Sequence, residues 1–142
     1  MNYDYMKKFK PETNTIKEFK YWIVVIREKQ ITLGSMIFVL KRDVPSVADL
    51  LPEEAAELPQ VILWFEKLTK NLYGAEKFNY VIAMMKDNFV HYHAIPRYSR
   101  SVKKYGMQWV DSCWPGLIEF KPVQFENDTI EMIKNDMRNY SI

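Results

Sequence analysis

The stretch from Pro52 to Gly74 constrains this chain most. Pro52 suits a first helical position, Glu53 and Glu54 follow where the helix dipole is positive, and Gly74 is a natural stop. Between them Ala55, Leu58, Ile62, Phe65 and Leu72 recur at helical spacing, with Val61, Trp64 and Leu68 as a second apolar stripe beside the first. A helix lying on one sheet needs a single stripe, so the extra width predicts a further contact, from the C-terminal segment or from another subunit. Pro59 removes a backbone donor and is expected to loosen the first turns.

Runs rich in β-branched and aromatic residues flank this helix on both sides. Phe19 to Arg27 (FKYWIVVIR) and Met36 to Lys41 (MIFVLK) read as an antiparallel hairpin, with Gly34 in the connection as the residue suited to an unusual φ. Ser46 can open a short helical turn after Pro45. Beyond the helix, Phe78 to Met85 and Phe89 to Ile95 read as two more strands joined by Lys86-Asp87-Asn88, short enough for a second hairpin. A last helix is expected from Thr129 to about Asn139, capped by Asn127-Asp128, with Ile130, Ile133 and Met137 on one face. Residues 1–18 read as an irregular arm and 98–142 as a variable C-terminal extension of one domain spanning 1–142. The fold class is α+β, an antiparallel sheet with one long helix and a C-terminal helix.

Composition narrows the function classes. A 142-residue chain that is 48% hydrophobic and 27% charged has the balance of a globular domain. Its net charge of +2 is too small to argue for nucleic acid or an anionic membrane. The longest apolar runs, such as Tyr21 to Ile26, fall far short of the roughly 18 residues that span a bilayer. The opening residues MNYDYMKKFKPETN lack an apolar h-region, so no secretory signal is expected and a cytoplasmic setting follows. One cysteine, Cys113, excludes an internal disulfide and reads as a small buried residue. The aromatic content of 15% reads as core rather than base-stacking platform, and so do Trp114-Pro115-Gly116 and the methionines Met84 and Met85.

Both histidines of the chain fall in one window, Val90-His91-Tyr92-His93-Ala94. Strand alternation puts Phe89, His91, His93 and Ile95 on one face, which makes the two imidazoles neighbours. From spacing alone three readings stand: ordinary histidines on a half-exposed strand, a metal site lacking an evident third and fourth ligand, or a nucleophile paired with a phosphate-binding imidazole. The charges Arg97, Arg100, Lys103 and Lys104 just beyond are either a solvated run or a rim for polyphosphate.

The string His91-Tyr92-His93-Ala94-Ile95-Pro96-Arg97 resembles the end of the histidine-triad (HIT) signature. Upstream, Leu33-Gly34-Ser35 with the apolar run to Lys41-Arg42, then Ser46 and Leu50 to Glu54, is similar to that family's Gly-His, strand and helix block. The resemblance covers roughly residues 20 to 97 and is to a short-loop bacterial type with a His-x-His-x-Ile-Pro-Arg ending. Cupins share His-x-His, but their Glu, third His and flanking glycines are absent here. The resemblance implies a sheet of about five antiparallel strands, a homodimer, and attack on the α-phosphate of a nucleotide conjugate by the middle histidine, with a nucleotidyl-histidine intermediate. It makes His91 the nucleophile and His93 the donor to phosphate oxygens. It implies a small-molecule nucleotide substrate, a dinucleoside polyphosphate or a phosphoramidate, and no built-in metal, with Mg²⁺ arriving only alongside the substrate.

The departures from the family pattern fall on named positions. Phe89 occupies the first triad position, and Ser35 stands where the family has histidine after glycine. Asp43 takes the place of a later histidine and is either an imidazole-orienting carboxylate or a turn residue before Pro45. Asn88, in the shortened loop, could offer an amide donor. Asn88, Arg97, Asp43 and Ser35 are therefore the substrate-binding positions the resemblance implies, and a non-catalytic nucleotide-binding protein is the alternative to an enzyme.

Overall fold

A computed structural model describes residues 3–140, so the two outermost residues of the arm and of the extension lie outside the described residues. The order is a 3₁₀ segment Asp4–Phe9, a short helix α1 (Pro11–Asn14), strands β1 (Thr15–Glu18), β2 (Trp22–Ile26) and β3 (Met36–Leu40), then helix α2 (Pro52–Tyr73). Strands β4 (Lys77–Val81) and β5 (His91–Arg97), a hairpin β6 (Val102–Lys104) and β7 (Met107–Trp109), and helix α3 (Thr129–Asn139) follow. The main sheet has five antiparallel strands in the order β1-β2-β3-β5-β4.

Alternation on β2, β3 and β5 divides the core between the two faces of the sheet. Trp22, Val24, Met36, Phe38 and Ala94 face α2, where Val61, Phe65 and Leu68 are fully buried. The packed seam of α2 thus takes residues from both expected stripes; Ala55 stays exposed, and Trp64 is half-covered, with its ring 6.0 Å from Phe19. Glu54 closes the start of the helix, accepting from the Leu51 amide at 2.8 Å and from the Arg42 guanidinium at 2.7 Å. Gly74 ends it at φ 75°, as expected of a left-handed stop.

The opposite face carries Ile23, Val25, Ile37 and Val39, and the N-terminal segment covers it with Met6, Tyr5 and Phe9. Here the structure corrects the expected irregular arm, which holds a 3₁₀ segment, a helix and the edge strand β1. Its apolar residues Tyr5, Met6 and Phe9 lie on a 3₁₀ segment kinked at Met6 and cap a sheet face, so they follow no regular helix or strand period. Two smaller expectations also change. Asp128 does not cap α3 through its side chain, and the β4–β5 connection runs from 82 to 90, longer than the three residues expected. The basic stretch after β5 folds into the β6–β7 hairpin.

Candidate active site

The face covered by the N-terminal segment also carries the histidines. His91 pairs with Val39 and His93 with Ile37 across β3, and their ring centroids lie 5.1 Å apart. They line a cleft of about 560 Å³ between the N-terminal segment, the start of the β2–β3 loop and the β4–β5 loop. His91 is buried, and its Nδ1 lies 2.7 Å from the Phe89 carbonyl. A carbonyl only accepts, so Nδ1 carries the proton and Nε2 the lone pair. Phe89 itself is buried, with its ring 4.9 Å from His91, 5.3 Å from Tyr5 and 5.8 Å from Phe9. Phe89 is thus part of an aromatic cluster that holds the His91 ring.

His93 has a buried Nδ1 with no hydrogen-bond partner. Burial, then the positive charge of Arg27, lowers its pKa to about 4, with His91 and Lys8 adding to the shift and Asp87 opposing it. The ring is neutral near pH 7.

The cleft wall carries four cations, Lys8, Arg27, Lys29 and Lys86, against two carboxylates, Glu28 and Asp87. Asp87 is held by Lys8 at 2.7 Å, and Glu28 accepts from the Asn14 amide at 3.1 Å. The walls are therefore electropositive, with both carboxylates already engaged. Among the described residues no three His, Cys, Asp or Glu side chains gather to hold a metal ion.

Of the expected site residues, the structure brings His91 and His93 together, while the other four lie outside the cleft wall. Arg97 is buried and committed elsewhere: it pairs with Asp111 at 2.6 Å, donates to Asn79 Oδ1 at 2.6 Å and to the Gly116 carbonyl at 2.9 Å. Its charge serves to join β5 to the C-terminal segment rather than to form a polyphosphate rim. Ser35 is buried in the β2–β3 loop, donating to the Thr32 carbonyl at 2.7 Å. Asp43 is exposed, near enough to Tyr5 to help raise its pKa, and Asn88 is exposed while its neighbours Lys86 and Asp87 face the cleft. Met84 and Met85 both line the cleft; Met84 is half-buried against the main core, as expected, whereas Met85 is 87% exposed. Trp114-Pro115-Gly116 does not line the cleft, and the aromatic ring that the C-terminal segment brings to the histidines is Phe120, 5.3 Å from His93.

Sequence reasoning missed Lys8, Arg27, Lys86 and Phe120. They come from four separate segments, and only Arg27 left a trace: a charge closing the apolar run WIVVI in phase with the cleft-facing positions.

No protein-family model matches the chain, and no curated protein matches it in sequence. Solved structures do match in fold. A hypothetical histidine triad nucleotide-binding protein from Sulfolobus tokodaii superposes with a TM-score of 0.70 at 15% identity, over 94% of this chain and 88% of its own. A histidine triad protein from Marinobacter aquaeolei gives 0.71 at 18%, over 93% and 90%. The diadenosine triphosphate hydrolase of Plasmodium falciparum gives 0.65 at 17%, over 89% and 75%. The chain therefore has the histidine-triad fold, a mixed α+β architecture around a five-stranded antiparallel sheet. At these identities the likeness defines the fold alone.

Proposed function

We propose that this chain is a nucleotide hydrolase or nucleotidyltransferase that cleaves at the α-phosphate of a dinucleoside polyphosphate or nucleoside phosphoramidate. The observation that carries the reading is the Nδ1–H of His91 held by the Phe89 carbonyl, which leaves Nε2 as a lone pair in an electropositive cleft. Nε2 attacks the α-phosphorus, a P–N bond forms, and the bond to the leaving group breaks. A polyphosphate departs as an anion and takes no proton; an amine takes one from water. The nucleotidyl-imidazolium keeps its Nδ1 proton, and the Phe89 carbonyl stabilises that charge. Neutral His93 donates to the non-bridging phosphate oxygens. Water then adds to phosphorus and gives up a proton to solvent, and His91 leaves with its electron pair, releasing nucleoside monophosphate. An acceptor other than water makes the same step a transfer.

The fold supports this reading because one structural neighbour is a diadenosine triphosphate hydrolase and another is described as nucleotide-binding. Mg²⁺ enters only as a companion of a polyphosphate substrate. On the same reading the protein is cytoplasmic and a homodimer through α2 and the sheet edge at β4. The second reading, nucleotide binding without turnover, is favoured by Phe89 at the first triad position and by the burial of His91.

The test is turnover of diadenosine polyphosphates and an adenosine phosphoramidate, with and without Mg²⁺, by wild type and His91→Ala. AMP release that disappears in the variant, with a nucleotidyl adduct by intact mass on quenched wild type, is the expected result. Equal silence of both proteins with nucleotide still bound would transfer the assignment to the binding protein.

A further inference from the structure

Two walls of the histidine cleft are held very differently. The N-terminal wall is anchored. Met6 is fully buried on the outer sheet face, the Tyr5 hydroxyl donates to the Leu40 carbonyl at 2.9 Å, and Asn14 Nδ2 donates to the Phe9 carbonyl at 3.0 Å. The facing wall is the stretch from Ala83 to Asp87 of the β4–β5 loop. Among the described residues no backbone hydrogen bond joins Ala83 to Asn88 to another element.

Both ends of that free stretch are fixed. Phe89 is buried in the aromatic cluster, and Val90 donates its amide to the Val44 carbonyl and accepts from the Leu40 amide, each at 3.1 Å. Met84 packs half-buried against the main core with φ 53°, a left-handed conformation that a side chain adopts at a cost. Between these ends Met85 is 87% exposed and adds no core packing. What ties Met85 to Asn88 to the opposite wall is the ion pair from Lys8 Nζ to Asp87 Oδ2, at 2.7 Å.

That pair spans the cleft beside the histidines. Lys8 and Asp87 both line it, and both charges act on His93, Lys8 lowering its pKa and Asp87 raising it. The Lys8 side chain is 53% exposed and that of Asp87 22%, so water screens their attraction and the tie is weak enough for thermal motion to break. It is also responsive to its surroundings. Salt screens it, and an anion entering the cleft attracts Lys8 and repels Asp87.

We infer that Met85 to Asn88 form a flap hinged at Met84 and Phe89, that the Lys8–Asp87 pair latches it over the cleft, and that opening of the latch sets the access of small molecules to His91 and His93. This goes beyond the function proposed above and holds whether the cleft turns a nucleotide over or only binds one.

The experiment is the rate at which diethyl pyrocarbonate, a neutral reagent that acylates unprotonated imidazole, modifies the two histidines of the ligand-free protein near pH 7. Adducts are located by peptide mass, and melting temperatures are measured alongside. Lys8→Gln and Asp87→Asn are each expected to raise the rate by about 2- to 5-fold, the range of a lost exposed ion pair. The charge-reversed double variant Lys8→Asp/Asp87→Lys returns it towards wild type. Molar salt speeds the wild type and leaves the single variants nearly unchanged. Lys8 and Asp87 shift His93 in opposite directions, so an effect through imidazole basicity would move the two single variants oppositely, whereas loss of the latch moves both upward. Unchanged rates, rates that move in opposite directions, or a double variant as fast as the single ones overturns the inference. A single variant that melts early is read through the other, because either substitution breaks the same pair. Failure of nucleotide turnover would sink the catalytic reading and leave this result standing.

Discussion

Burial and the neighbouring Arg27 charge keep His93 neutral in the cleft, with its pKa at about 4 against an ordinary 6.5. The folded state then binds fewer protons than the unfolded chain between those values, so this group's contribution to stability is present above pH 6.5 and is lost as the pH falls towards 4. The expected outcome is a melting temperature that declines more steeply over that window in wild type than in His93→Gln; identical profiles would show that His93 is not held neutral. Phe89 belongs to the same scale. Its ring fills a site bounded by Tyr5, Phe9 and His91, so Phe89→Ala should destabilise the protein by about 3 to 4 kcal/mol in urea unfolding. A loss under about 1 kcal/mol would mean that the aromatic cluster contributes little to holding the His91 ring.

At the scale of elements, the position of the histidines was legible in the sequence, whereas the surface facing them was not. The alternation of Val90-His91-Tyr92-His93-Ala94 places both imidazoles on one face whatever the rest of the chain does, because side chains on a strand repeat every two residues. Helix α2 was equally legible, since its proline, acids and glycine act within a turn of each end. The N-terminal segment was opaque: its Tyr5, Met6 and Phe9 form no pattern until the apolar face of β2 and β3 gives them a partner. Arg97 illustrates the same limit. From its neighbours it reads as part of a basic run, and only the fold supplies Asp111 from the segment beyond β7. The Arg97–Asp111 pair is buried, so Asp111→Ala, which strands the guanidinium, should cost about 3 to 5 kcal/mol in urea unfolding with the histidine cleft intact. A near-neutral effect would mean that water reaches Arg97.

At the scale of the molecule, the two ends of the described chain are tied together. Lys134 on α3 donates to the Thr13 carbonyl at 3.3 Å and to Asn14 Oδ1 at 3.1 Å, and Arg138 donates to the Thr13 and Thr15 carbonyls at 2.6 and 3.0 Å. Asn14 also donates to Glu28 on the cleft wall, so α3 bears indirectly on the site. Among the described residues no helix is long and apolar enough to cross a membrane. The outer side of α2 leaves Leu63 56% exposed, and β4 is a sheet edge; both belong to the surface assigned to the proposed homodimer. Sedimentation should give a species of twice 17.0 kDa that Leu63→Lys shifts towards monomer. A monomer at all concentrations for the wild type would remove the dimer from the reading.

The sequence by itself determined the central elements β2, β3, α2, β5 and α3, and the side on which their strand residues fall. Caps and proline act locally, and strand and helix periods assign faces without knowledge of partners. It therefore yielded the strands that carry His91 and His93, the long helix and the α+β class. Tertiary structure alone decided the contents of the cleft. Lys8, Arg27, Lys86 and Phe120 meet the histidines only because β2, β3 and β5 lie side by side, the N-terminal segment folds over their outer face, and the chain returns past Gln30, where the Val123 amide donates to the Gln30 carbonyl at 2.8 Å. Such contacts depend on closing long loops, and no local spacing encodes which distant charge will close upon which ring.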